Sequence, residues 1–245
     1  MKKPTPKVSR LTPKTTPKTP PSDIGTRFEK SLHRELKFRY AGEDGQTEAE
    51  VGGFVADVIT AAGEYIEIQT GSFGPLRKKV PELASRGKLR IVHPVISEKT
   101  IEVFDTEDTL LSSRTIKKRV SSWDIFKALV YAPELPLIRR VAIELVFVDV
   151  TERHVQDGKG SWRRKGASIR DRYITSFHES VCFKGRASYR RFLPYKKGEQ
   201  FSSRLLREKV KIHIALARKA LYVLVKMGIA EIVGKQGSAR IYQIT

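Results

Sequence analysis

Residues 51–70 decide the fold, and they read VGGFVADVITAAGEYIEIQT. Two runs rich in β-branched residues, near 51–59 and 65–70, flank the turn-forming tripeptide AAG. Apolar and polar residues alternate in the second run, as they do in a half-buried strand. The stretch therefore predicts two neighbouring strands of a sheet, with Glu67 and Gln69 on the same face because they are two residues apart.

The flanking segments extend this strand pair into a larger core. Upstream, apolar residues recur at helical spacing and predict a helix: Phe28, Leu32 and Leu36. Downstream, a helix is predicted over 76–84 and a buried strand over 89–96. A further strand near Glu48 is left open. The expected fold class is α/β, with a mixed sheet and helices packed against it.

Composition divides the chain into four predicted parts. Residues 1–22 contain six basic residues, no acidic ones and six of the 12 prolines, which is typical of a disordered basic tail. Residues 23–100 form the α/β core. Residues 101–190 form a β-rich α+β extension or linker region that includes the basic sequence GKGSWRRK, and residues 191–245 form a separate domain.

The charge of the chain favours a polyanionic partner. The formal net charge is +20, and residues 153–245 contain 22 Lys and Arg against six Asp and Glu, whereas residues 23–152 are nearly neutral. This asymmetry is expected when one part of a protein acts on nucleic acid and another binds its backbone. Positive charge that serves only solubility is the alternative.

Several classes of protein are excluded. Cys182 is the single cysteine, so one chain forms no disulfide or zinc cluster, and a buried position in a reducing compartment is expected for it. No apolar stretch is long enough for a membrane span, and the N-terminus lacks the apolar region of a secretory signal. A phosphate-binding GxxxxGK[ST] loop is absent, so no nucleotide cofactor is expected. A cytoplasmic location is predicted.

Carboxylates on the two predicted strands suggest a metal site. Asp57 ends the first strand and Glu67 lies on the second, while Glu29 lies on the predicted helix beside its apolar stripe. A carboxylate on a sheet face covered by helices needs a partner, and a divalent cation is a suitable one. Oxygen ligands from Asp57, Glu67 and the Ile68 carbonyl suit Mg²⁺ (or Mn²⁺), which supports phosphodiester hydrolysis.

These residues resemble the motifs of the PD-(D/E)XK nuclease superfamily. The resemblance rests on GTRFE at 25–29, VAD at 55–57 and YIEIQ at 65–69. It implies an αβββαβ core in which Asp57 and Glu67 bind metal and Glu29 assists from the helix. The chain departs from the family at Gln69, where a lysine is usual. Gln69 would position the attacking water, and Lys78 or Lys79 of the following helix is expected to supply the missing charge, with Lys78 preferred.

The C-terminal residues resemble a winged helix-turn-helix domain. Over 201–245 the pattern is a helix, a turn, a helix over 214–227 and a β-hairpin, with a large excess of Lys and Arg over two acidic residues. In such domains the second helix enters the major groove of DNA. Protein contact is the alternative role. The expected nucleic-acid-binding residues are Arg207, His213, Arg218, Lys219, Lys226, Lys235 and Arg240.

Three hypotheses follow for function. The first is a metal-dependent DNA endonuclease of repair, recombination or restriction, in which one site per chain would favour a homodimer for cutting both strands. The second is a catalytically inactive DNA-binding protein, regulatory or structural, that retains the nuclease fold, and Gln69 motivates it. The third is an RNA-processing factor.

Overall fold

The computed structural model describes residues 31–245, so the predicted basic tail and Glu29 lie outside the described residues. The helices of the described part are α1 (Ser31–Ala41), α2 (Leu76–Arg86), α3 (Ile125–Leu129), α4 (Gly185–Arg190), α5 (Ser203–Val210) and α6 (Ile214–Lys226). The strands are β1 (Gln46–Val51), β2 (Phe54–Ile59), β3 (Tyr65–Ile68), β4 (Leu89–Phe104), β5 (Leu110–Lys117), β6 (Val141–Val155), β7 (Ser168–Lys184), β8 (Gln200–Ser202), β9 (Ala230–Gln236) and β10 (Ala239–Ile244).

Seven strands form one large mixed sheet. Its order is β1-β2-β3-β4-β6-β7, and β5 pairs with the second half of β4. The pairs β3–β4 and β4–β6 are parallel, and the other neighbours are antiparallel. The prediction of a mixed α/β protein is confirmed. The strand near Glu48, whose presence the sequence left undecided, is β1.

Helices cover both faces of the sheet. On one face, Leu32 and Leu36 of α1 share a buried cluster with Val58, Ile66 and Ile68, the apolar side predicted from alternation. On the other face, apolar residues of α2, α3 and α6 belong to a larger buried cluster that also contains the inner sides of β4 and β6. The Glu67 side chain points to the face opposite to that of Ile66 and Ile68, and it is almost fully buried.

The central strands are longer than the hydrophobic pattern predicts. Strand β4 does not end at 96 but continues to Phe104, and its pairing with β6 runs in parallel from Leu89–Val141 to Phe104–Val155. The outer halves carry more polar residues, and backbone pairing with neighbours rather than an apolar stripe sustains them. The boundary predicted at residue 100 therefore falls inside β4, and residues 101–190 contribute β5, β6 and β7 to the same sheet.

The C-terminal unit contains a small antiparallel sheet of order β8-β10-β9 and the helix pair α5–α6. Ser202 caps α5, since its side chain accepts a hydrogen bond from the Leu205 amide at 3.3 Å. Lys211 joins the helices with a left-handed backbone (φ 55°). Ala217 and Leu221 of α6 lie in the same buried cluster as Phe126 of α3, so the core continues into this unit.

Two further observations concern side chains and membranes. Cys182 lies exposed on β7, which corrects the expectation that it is buried. It is exposed because its side chain points to the opposite face of β7 from that of Phe183, which is buried in the larger cluster. Within residues 31–245, no helix is long and apolar enough to cross a membrane.

Candidate active site and nucleic-acid interface

Asp57 and Glu67 lie together on the adjacent antiparallel strands β2 and β3. Each carboxylate accepts a hydrogen bond from the other strand. The Ile68 amide donates to Asp57 Oδ2 at 2.7 Å, and the Asp57 amide donates to Glu67 Oε1 at 3.3 Å. These reciprocal bonds fix both acidic side chains at the point where the two strands end their pairing.

A lysine from α2 completes one side of this pair. Lys79 Nζ lies 2.6 Å from Glu67 Oε2, whereas Lys78 is exposed. This corrects the preference for Lys78. Helix α2 packs on the sheet through Leu76, Val80 and Leu83, and Lys79 follows Leu76 by three residues, which places it on the same side of the helix. Lys78 is rotated away from that side.

Helix α1 contributes two nitrogens on the other side of the pair. His33 Nε2 lies 3.4 Å from Asp57 Oδ2 and donates to the Ile68 carbonyl at 3.0 Å. Lys37 Nζ lies 4.0 Å from Asp57 Oδ1 and 2.9 Å from Glu48 Oε1. Lys37 was not predicted as a site residue, although it follows His33 by one helical turn, which is the spacing that would have found it.

The two carboxyl groups differ in acidity. Burial raises the pKa of Asp57, but the hydrogen bonds from His33 and the Ile68 amide outweigh this effect, so the pKa of Asp57 lies below its usual value. Burial and then the negative charge of Asp57 raise the pKa of Glu67 to about 7, against the opposing effect of Lys79. Two ionised carboxylates at this buried position are therefore unfavourable, even with Lys79 beside Glu67.

Gln69 follows β3 and forms part of a turn. Its side-chain nitrogen donates to the Ser72 carbonyl at 2.7 Å, and its backbone carbonyl lies 2.5 Å from His93 Nδ1. The His93 ring packs edge-on against Phe73, with centroids 5.3 Å apart. The side-chain nitrogen of Gln69 thus stabilises the loop between β3 and α2.

The ligand atoms that the site offers are of the chemical type that Mg²⁺ and Mn²⁺ prefer. Asp57 and Glu67 supply carboxylate oxygens, which these hard cations prefer, and a divalent cation would offset the charge that raises the pKa of Glu67. The Ile68 carbonyl, predicted as a third ligand, accepts a hydrogen bond from His33. Among residues 31–245, no group of three or more His, Cys, Asp or Glu is arranged to hold a metal ion.

The predicted nucleic-acid-binding residues divide between two surfaces, of which the first is a cationic groove. This groove has a volume of about 1180 Å³ and lies between α5, α6 and the β9–β10 hairpin. Among residues 31–245, no acidic residue lines it, and the cations that do are Arg204, Arg207, Arg218, Lys226 and Arg240. Lys235 pairs directly with Arg240 across the hairpin.

His213 and Lys219 line a different cavity, the junction pocket. It has a volume of about 710 Å³ and lies between the 119–127 segment and the start of α6. Arg119, Lys127 and Lys211 also line this pocket. The two surfaces arise because His213, which caps α6, and Lys219 face the 119–127 segment, whereas Arg218 faces the hairpin. Sequence alone did not separate these two sides.

Comparison with known proteins gives a family without a described function. Residues 30–184 match the family described as a domain of unknown function, DUF8091. An uncharacterized protein of Treponema pallidum (strain Nichols) is 26% identical over 221 residues, which cover 90% of this chain and 87% of that protein. No solved structure matches. Because the family match covers more than half of the chain, the chain belongs to the DUF8091 family.

Proposed function

We propose that this protein is a Mg²⁺- or Mn²⁺-dependent DNA endonuclease with a core of the PD-(D/E)XK type and a C-terminal winged helix. The observation that carries the proposal is the pair of adjacent carboxylates, Asp57 and Glu67, with Lys79 beside one and His33 beside the other. The element order α1-β1-β2-β3-α2-β4 around this pair agrees with the αβββαβ core that the sequence motifs imply.

Each residue of the site would have a separate role in phosphodiester hydrolysis. Asp57 and Glu67 would hold the metal ion, which supplies a nucleophilic water and stabilises charge on the phosphate. Lys79 carries the positive charge that a lysine at position 69 would otherwise supply, and it reaches Glu67 from the next helix. His33 fixes Asp57 and the Ile68 carbonyl relative to each other.

The C-terminal unit supports DNA as the substrate. The order α4-β8-α5-α6-β9-β10, with β8 and β9 on either side of β10, supports a winged helix. In such a domain α6 would be the recognition helix and the β9–β10 hairpin the wing. In the described part of the chain, the groove between them is lined by five cations and no acidic residue, which suits a phosphate backbone.

A DNA-binding protein that retains the fold without catalysis is the second candidate. The side-chain nitrogen of Gln69 donates to Ser72, so this residue has a structural task in the turn after β3. The same cationic groove would serve such a protein equally well. Both candidates place DNA on the C-terminal unit and differ only at the carboxylate pair.

A cleavage assay separates the two candidates. Plasmid, linear, forked and junction DNA would be incubated with the purified chain in Mg²⁺, Mn²⁺ or EDTA, beside Asp57→Asn and Glu67→Gln variants. We expect metal-dependent cutting that falls by about 10²-fold or more in either variant, the size of effect typical for a group that stabilises the transition state. DNA binding without cutting, unchanged in both variants, would establish the second candidate. A preference for structured RNA in competition would instead indicate an RNA-processing factor.

A further inference from the structure

The loop that joins β6 and β7 exposes a tryptophan at one end of the large sheet, beyond the last pairs of β6 with β4 and with β7. The side chain of Trp162 is 82% exposed, the highest value among the large exposed hydrophobic residues of the described chain. It lies in a single 3₁₀ turn, Trp162–Arg164, between the paired ends of the two strands at Val155 and Ser168. An indole kept in water gives up the free energy that its burial would provide.

The ribbon tip, residues 156–167, is a hydrogen-bonded turn. The Gly160 amide donates to the Gly166 carbonyl at 2.7 Å, and the Lys165 amide donates to the Trp162 carbonyl at 2.9 Å. The Gln156 side chain donates to the Lys165 carbonyl at 2.5 Å. A Cβ at position 160 would lie 1.8 Å from the Ala167 carbonyl oxygen, so the turn requires glycine there. Trp162 is therefore presented on a defined backbone.

Positive charge surrounds the exposed indole. The cations of the ribbon tip are Lys159, Arg163, Arg164 and Lys165. The guanidinium of Arg163 lies 5.5 Å from the centroid of the Trp162 ring. The single carboxylate of the tip, Asp157, is engaged by Ser168 at 2.7 Å. An exposed aromatic ring can stack on an unpaired base, and the cations around it can bind the phosphates of the same strand. The ribbon tip is therefore complementary to a nucleic acid with unpaired bases.

The ribbon tip is remote from both the carboxylate pair and the cationic groove. Glu67 pairs with Ile91 and Ile91 with Ile143, so the strand residues from 143 to 155 separate the tip from the carboxylates by on the order of 40 Å. The C-terminal unit follows Lys184, at the other end of β7. Changes at Trp162 therefore leave the carboxylate pair and the groove intact.

We propose that Trp162 stacks on an unpaired base of DNA, with the neighbouring Arg and Lys residues of the ribbon tip on its phosphates. The inference rests on the proposed function only in its assumption that the chain binds DNA, and it does not require cleavage. It assigns the protein a preference for substrates with single-stranded or distorted regions, since a base within an intact duplex offers no free face to the ring.

Binding measurements with matched substrates test this inference. The affinities of the wild type, Trp162→Ala and Trp162→Phe for single-stranded, forked and fully paired DNA of equal length would be measured by fluorescence anisotropy in EDTA. Loss of one stacked base is expected to weaken the binding of Trp162→Ala to single-stranded and forked DNA by about tenfold or more. Trp162→Phe is expected to retain most of the affinity, and binding to the duplex is expected to change little. The exposed position of Trp162 leaves folding unaffected, which circular dichroism checks.

A base analogue reports stacking directly. Fluorescence of 2-aminopurine at an unpaired position of the fork is expected to be quenched by the wild type and not by Trp162→Ala. If the wild type and Trp162→Ala both bind DNA, and bind each of the three substrates with the same affinity as one another, the role of Trp162 would be overturned but not the proposed function. Failure of the wild type to bind any DNA would overturn both. A loss in Trp162→Ala of binding to anionic vesicles, without a loss on DNA, would assign the tip to a membrane surface instead.

Discussion

Lys78 and Lys79 are neighbours in the sequence but occupy different environments. An α-helix turns by about 100° per residue, so Lys79 shares the side of α2 that packs on the sheet and Lys78 does not. Lys79 contacts Glu67 at 2.6 Å, whereas Lys78 is exposed. The pair therefore offers a test of the site in which variant and control have the same side chain and adjacent positions.

Under the proposed function, Lys79→Gln is expected to reduce DNA cleavage by about 10²-fold, because it removes the positive charge that would offset negative charge developing on the reacting phosphate. Lys78→Gln is expected to leave cleavage within about threefold of the wild type, as a solvated charge contributes little. Initial cleavage rates at saturating Mg²⁺ measure both. Equal losses in the two variants would show that Lys79 acts only through the overall positive charge of α2.

A second buried carboxylate, Glu152 of β6, is surrounded by cations and has a structural role. Its Oε2 lies 3.1 Å from Lys99 Nζ and 3.2 Å from His154 Nε2, and its Oε1 accepts a hydrogen bond from Arg172. Burial raises the pKa of Glu152, but the charge of Arg172 and the hydrogen bonds from Lys99 and His154 lower it to about 2. These contacts join the neighbouring strands β4, β6 and β7 of the large sheet.

The stability of the protein is expected to depend on Glu152 above pH 4.5 and to lose that contribution as the pH falls towards 2. The sign follows because the folded state holds the carboxylate ionised at a pH where the unfolded chain, with a pKa of 4.5, is protonated. Glu152→Gln should therefore lower the free energy of unfolding by about 3 kcal/mol at pH 7 and by much less at pH 2.5. Denaturant titrations at the two pH values measure this.

Glu98 provides the control for this prediction. It is paired with Lys117 at 3.0 Å on the neighbouring strands, but Lys117 is 83% exposed, so the pair is solvated. Glu98→Gln should change the free energy of unfolding by less than about 1 kcal/mol at either pH. If Glu152→Gln lowers the free energy of unfolding by the same amount at pH 7 and at pH 2.5, packing rather than charge explains the effect.

At the scale of elements, α6 has one side in the core and another in the cationic groove. Ala217, Leu221 and Leu224 are buried, while Arg218 lines the groove beside Arg240 of the hairpin. The sequence predicted the helix, its apolar side and the hairpin. It did not separate the residues of the groove from those of the junction pocket, because that division depends on how α6 is docked against the 119–127 segment.

Arg218→Gln and Arg240→Gln are each expected to weaken DNA binding and to reduce the dependence of log affinity on log salt concentration by about one unit, since each removes one phosphate contact. Titrations of duplex DNA across a series of salt concentrations measure the slope. The control is Lys117→Gln, which removes an exposed cation from β5, away from the groove. A slope unchanged in all three variants would place the DNA on another surface.

For the molecule as a whole, the large sheet and the C-terminal unit share one core. Buried residues of α6 belong to the same cluster as those of α2, α3 and β4. Aromatic rings on both sides of the junction are in contact, with Trp123 and Phe192 centroids 4.9 Å apart. The family match ends at residue 184, yet the core continues beyond it. We therefore expect the two parts to unfold together.

Leu221→Ala is expected to lower the free energy of unfolding by about 2–5 kcal/mol, the range for a fully buried leucine. Helical circular dichroism and Trp123 fluorescence, the latter in a Trp162→Phe background, should report one shared transition at lower denaturant concentration. Leu205→Ala is the control, because Leu205 is 50% exposed on α5. A Trp123 transition that stays in place while the helical signal shifts would mean that residues 191–245 form an independent domain.

Local patterns in the sequence predicted the elements of the N-terminal core and of the C-terminal unit, and the positions of the two carboxylates. They could do so because helical and strand periodicity and turn residues act within a few positions of one another. Asp57 and Glu67 were identified in this way, as was the helix-turn-helix-hairpin order. The folded structure was needed to show that Lys79 is the lysine that contacts Glu67, that Lys37 joins the cluster, that β4 continues through residue 100 and that the C-terminal unit shares the core. These features depend on contacts between residues far apart in the sequence, and the packing of helices on the sheet sets those contacts.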